Sequence, residues 1–226
     1  MSISKHPRHD FLIERIAFFS DAVFAIAITL LTIEIHPPSL LITDTNADVM
    51  RKLGEKLPEL IGLIVSFWLI GVTWLRHHQL FKYVDNYDIK FMVINLLLLM
   101  TIILFPFSTS FLFNTIFTGF VSKPQVIFYL GIPLCSNLIL YLMYKRVNEK
   151  HLEQKADEQF HGAIYAQKNL IISFMLALLW IIIVPLQYHP FGYIFLMYAM
   201  VIGIIHEKRK KKKLIKHAGP QDRPTN

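Results

Sequence analysis

The chain has 226 residues, of which 54% are hydrophobic, a single cysteine and a formal net charge of +7. Its apolar residues gather in blocks too long for the alternating faces of a soluble domain, so a single soluble core is excluded and lipid is the expected solvent. Lone Cys135 rules out an internal disulfide and a Cys-based metal site, and it reads as a small packing residue.

A helix crossing a hydrocarbon core of about 30 Å needs roughly 20 mainly apolar residues. Six such blocks run in chain order at 12–35, 58–75 with continuation to 81, 90–117, 124–144, 168–188 and 190–206. Inside the bilayer each backbone N–H and C=O must be bonded within its own segment, and the blocks are too long and uniform for barrel strands. The expected fold class is therefore an all-α integral membrane protein of six transmembrane helices. The first block exceeds a signal-peptide core, contains Asp21 and ends at Glu34, His36, Pro37 and Pro38 without a small-residue cleavage site, so it is expected to stay attached.

The connections set the orientation. Nineteen Lys and Arg residues fall on one side of the blocks and four, Arg51, Lys52, Lys56 and Lys123, on the other, which predicts cytoplasmic N and C termini in a cell (inner) membrane. The outer segment 36–57 is mixed in charge and is expected to hold a short interfacial helix. The charged segment 145–168 reads as a helical extension of the fourth block. The domain reading is a short cytoplasmic segment over 1–10, a six-helix membrane domain over 11–206, and a basic tail over 207–226, disordered toward its end. Lys208 to Lys213 directly follow the last block. Such a cluster fits anionic lipid heads, at about 1 kcal/mol per charge, better than nucleic acid.

The first block carries the functional information. Ionisable groups within a span are costly, and Asp21 lies more than a turn inside. At roughly 100° per residue, Phe19, Ala22, Val23, Ile26, Thr29, Leu30 and Ile33 fall within about 60° of one line, whereas Ser20 and Asp21 point away from it at roughly +120° and −140° from Ile26. The stripe is lipid-facing, core or pore; periodicity alone favours the first two. Ser20 and Asp21 are expected to face neighbouring helices, with Arg15, the Arg76, His77, His78 cluster and Asn95 as partners for the carboxylate. Protonation of His77 or His78 is a route to pH sensitivity. The two do not read as a metal site, because adjacent side chains diverge on a helix. In the third block, Ser108, Thr109, Ser110 and Asn114 follow Pro106 and read as groups that satisfy backbone carbonyls. Ala199 and Gly203 in the sixth permit close packing.

The run from Arg15 through Phe19, Ser20 and Asp21 to Ile26, Thr29, Leu30, Ile33 and Glu34 resembles the first helix of the bacterial transmembrane-protein-175 potassium channels. It holds their Arg-x-x-x-Phe-Ser-Asp signature and the following Ala-Ile-Ala-Ile-Thr-Leu-Leu run, with Ala22 where glycine is often found. Span number, order and chain length match as well. The resemblance implies a homotetramer with the first helix of each subunit lining a central pore, and potassium as the permeant ion without any cofactor. It also implies a hydrophobic gate at Ile26, Leu30 and Ile33, a contribution to potassium preference from Thr29, and no glycine-rich re-entrant filter. Proton passage is left open. Arg15, Phe19, Ser20 and Asp21 of the signature, with His77, His78 and Asn95, are read as the structural network holding the pore helix. A cation or small-solute secondary transporter is the alternative, disfavoured by the lack of matching halves. A membrane enzyme is disfavoured by the lack of a nucleophile beside His77, His78 and Asp21.

Overall fold

The computed structural model describes residues 7–84, 88–115, 121–150 and 158–184. Among the described residues the regular structure is wholly helical: α1 (Pro7–Ile33), α2 (Asn46–Gly54), α3 (Leu57–Phe81), α4 (Ile89–Ile103), α5 (Phe105–Phe113), α6 (Lys123–Lys150) and α7 (Glu158–Ile183). They provide five stretches long and apolar enough to cross a membrane: Phe11–Ile33, Asn46–Phe81, Ile89–Phe113, Lys123–Glu149 and Phe160–Ile183. The sixth block, 190–206, and the basic tail lie outside the described residues.

Local chemistry fixes the helix ends. Beyond Ile33 the prolines at 37 and 38 cannot continue the helix. The expected interfacial helix is α2, opened by a capping box in which Thr45 and Asp48 each bond the other's backbone N–H. Asp88 caps α4 by accepting from the Phe91 N–H at 3.0 Å. The third block is one membrane crossing in two helices, because Pro106 lacks the N–H that would continue the ladder and the chain turns at Leu104. The hydroxyls of Ser108 and Thr109 return to the Phe105 carbonyl at 2.9 and 2.7 Å.

One boundary differs from the sequence expectation. Helix α6 runs on to Lys150, as the expected helical extension beyond 145, but α7 begins at Glu158, ten residues before the apolar block at 168. Polar residues such as Gln167 conceal that extension from a hydropathy reading, although Gln167 itself is buried.

The helices pack as one bundle in which α6 lies against α4, α7 and α5, and α1 lies against α3, α4 and α5. Three apolar clusters stack along it. One joins Leu80, Phe91, Leu98, Tyr144 and Phe160; a second joins Phe24, Ala27, Leu31, Ile70, Ile102 and Phe105; the third joins Leu112, Tyr129, Phe174 and Ile181. Gly62 lets α3 approach α5, since a Cβ there would collide with the Phe113 ring.

Candidate functional site: the first helix and its polar anchor

Helix α1 has two unlike faces. Ser20, Phe24, Ala27 and Leu31 are buried against the bundle, whereas Phe19, Ile26, Leu30 and Ile33 are exposed, Ile26 at 56% and Ile33 at 67%. Apart from half-buried Val23, which packs against the second apolar cluster, the stripe drawn from helical spacing thus lies on the face that the subunit leaves uncovered. Thr29 lies on it, and its hydroxyl donates to the Ile26 carbonyl at 2.9 Å. With its one hydrogen used on the backbone, the Thr29 oxygen turns lone pairs outward, able to accept from water or to meet a cation.

Behind that face lies a polar knot. Ser20 donates to the Ile16 carbonyl at 2.9 Å and accepts from the Asn95 amide at 2.9 Å, and the Asn95 carbonyl accepts from His77 Nε2 at 2.8 Å. These bonds join α1, α4 and α3. Each group is buried, so each bond avoids leaving a polar atom unsatisfied in an apolar layer. The His77 ring is packed by Phe24 and Phe81.

The bond to Asp21 differs from the expectation. Its carboxylate accepts from the indole N–H of Trp74 at 2.8 Å, rather than bonding Arg15, Arg76, His77, His78 or Asn95. Arg15 lies roughly 120° around the helix from Asp21 and cannot reach it; it sits over the Phe11 ring instead. His78 stacks on Trp74 with ring centroids 5.7 Å apart, so it meets the carboxylate only through the indole. Arg76 turns the other way, donating to Gln167 at 2.7 Å.

Further polar contacts escape a sequence reading. Gln167 of α7 donates to the Asn137 side chain and backbone of α6, and the Tyr144 hydroxyl donates to the Arg76 carbonyl. Ser66, Thr109 and Tyr129 join α3, α5 and α6 through contacts of 2.7 and 3.0 Å, and Thr101 meets Ser136 at 2.9 Å. Uncharged amides and hydroxyls inside apolar blocks raise no flag in a charge count. Their spacing, however, puts Asn137 and Tyr144 seven residues apart on one face of α6.

At the opposite end of α1, the connection to α2 is tied down. Lys52 donates to the Ser39 carbonyl at 3.0 Å and pairs with Asp44, while the Asp44 carboxylate accepts from the Leu41 N–H. The Lys52 hydrogen bond, with the Leu41 N–H beside it, holds the Asp44 carboxyl below the ordinary aspartate range.

Residues 15–106 match the family described as the endosomal/lysosomal potassium channel TMEM175. The chain is 35% identical over 159 residues to a potassium channel of Chamaesiphon minutus, a match covering 68% of this chain and 75% of that one. It is 42% identical over 98 residues to a potassium channel of Streptomyces collinus, covering 43% of this chain and 46% of the relative, so that match spans less than half of the relative's length. The crystal structure of a lysosomal potassium-selective channel TMEM175 homologue from Chamaesiphon minutus shares the fold with a TM-score of 0.68 at 26% identity, over 87% of this chain and 97% of that one.

Proposed function

Since the chain belongs to the TMEM175 family, we propose that it is a potassium-selective channel of the cell membrane, assembled as a homotetramer whose four α1 helices line one central pore. The observation that carries the proposal is the uncovered face of α1, where Ile26, Leu30 and Ile33 stand out from a helix whose other face is buried. One subunit supplies a single α1 and cannot enclose a pore with it, so closure requires symmetric copies.

In this reading four Ile26 side chains form a neck too narrow and apolar to hold water, and an ion meets a desolvation barrier there; Leu30 and Ile33 extend it. A modest dilation wets the neck and opens it. The Thr29 oxygens, beside the neck, replace part of the hydration shell and favour potassium. The polar knot of Ser20, Asn95 and His77, with Asp21 on Trp74, holds the pore helix against α3 and α4 while those rings open and close. Arg15, Phe19 and His78 flank it. The remaining architecture follows the charge distribution: six spans over 11–206, both termini cytoplasmic, and the tail from 207 on anionic lipid heads. The activity is ion passage rather than catalysis, with potassium as the permeant species and no cofactor.

Purified protein in liposomes tests this. Downhill potassium leak without any coupling gradient, larger than the sodium leak under the same conditions, is the expected result. Flux that runs only when a second ion gradient is supplied makes the protein a transporter and sinks the proposal, as does the absence of flux from correctly assembled tetramers.

A further inference from the structure

We infer that Arg15 forms a cationic collar at the cytoplasmic mouth of the pore and limits the entry of cations from inside. The inference rests on the pore reading of α1. At roughly 100° per residue Arg15 falls about 20° from the line of Ile26, and eleven residues place it about 16 Å below that ring. It is therefore on the uncovered face, in line with the gate, and within the apolar stretch Phe11–Ile33 it is the positively charged member of that line. Glu14, one position earlier, points roughly 120° away from Ile26 and does not offset it.

The surroundings of Arg15 favour a long-range role. It lines a groove of about 400 Å³ with Leu12, Ile16 and Phe19 of α1 and with Met92, Asn95 and Leu96 of α4. That wall is mostly apolar, and the Asn95 side chain is already bonded to Ser20 and His77. Among the described residues Arg15 has no carboxylate within ion-pair distance, the pairs being those of Lys52, Lys56, Arg51 and Arg146. A cation beside low-dielectric walls, without a counter-charge, projects its field into the adjoining water. Fourfold symmetry places four such charges around the axis, where they lower the local concentration of potassium before it reaches the neck. Because the field acts through water, salt weakens it within about 10 Å at 0.1 M.

The experiment starts from Cys135→Ser, to leave no native thiol, and adds Arg15→Cys. Channels in patches are treated from the cytoplasmic side with cationic and anionic methanethiosulfonates, so one assembled protein carries either charge at this position. Outward potassium current is expected to rise roughly threefold or more when the anionic reagent replaces the cationic one at low salt, and the difference is expected to shrink at high salt. Arg15→Lys is expected to behave as the parent. Failure of the introduced thiol to react, or equal currents with either charge while Ile26→Asn in the same patches still opens the pore, overturns the collar and leaves the pore reading standing. If Ile26→Asn also leaves the current unchanged, the pore reading itself fails.

Discussion

Helices α1 and α6 are almost equally long, 27 and 28 residues, yet the bundle treats them differently: 44% of the most apolar window of α6 is buried against 22% for α1. Helix α6 is wrapped by α4, α5 and α7, and it directs Ser136 and Asn137 inward to bonds with Thr101 and Gln167. Helix α1 also places its polar groups inward, in Ser20 and Asp21, but leaves its aliphatic stripe open. In a soluble protein such a stripe would be a liability. In a membrane subunit such a stripe meets lipid or another copy of the chain, and in the proposed channel its continuity with Thr29 and Arg15 assigns it to the pore rather than to lipid.

The sharpest way to break that comparison is to make one substitution on each helix. Ile26→Asn is expected to wet the neck, and removal of about 1.4 kcal/mol of barrier corresponds to about a tenfold rise in basal potassium leak, with weaker discrimination against sodium. Leu138→Asn, on the exposed side of α6, is expected to meet hydrocarbon and reduce membrane insertion without adding leak. Equal behaviour of the two variants in liposome flux would show that α1 and α6 face the same medium.

A smaller effect comes from the polar anchors. Asn95→Ala strands buried Ser20 and His77 at a cost of about 1–3 kcal/mol, so the protein should melt earlier in detergent and its gating should become irregular. Gln167→Ala removes a comparable anchor from α6 and α7, and is expected to lower the melting temperature with little change in the opening of surviving channels. Gating changes of equal size in both variants would deny α1 its special position. The smallest effect is expected for Thr29→Ala, which removes an outward oxygen but no packing: the potassium-to-sodium permeability ratio should fall a few-fold in bi-ionic recordings while closed-state leak stays unchanged.

Much of this architecture was legible in the chain because a bilayer imposes a coarse demand, length and apolarity, that composition meets openly. The inward and outward faces of α1 were equally legible, since a single helix obeys a fixed angular rule. The partner of Asp21 was not, because Trp74 counts as an apolar residue in any hydropathy pattern although its indole N–H is a good donor. The same blindness hid Gln167 and Asn137, whose pairing depends on how α6 and α7 lie together. Conversely, Arg15 looked like an obvious counter-ion when only charge was considered, and helical geometry removed it from that role.

The hydroxyl cluster of Ser66, Thr109 and Tyr129 has a directional consequence. Thr109 uses its single hydrogen on the Phe105 carbonyl, so Ser66 must direct its own hydrogen to Thr109 and accept the one from Tyr129. The hydrogens therefore run one way, from Tyr129 through Ser66 and Thr109 to a backbone oxygen that has none to pass on. The seam is thereby an ordered row of hydroxyl dipoles that ties α3, α5 and α6 together inside the bundle.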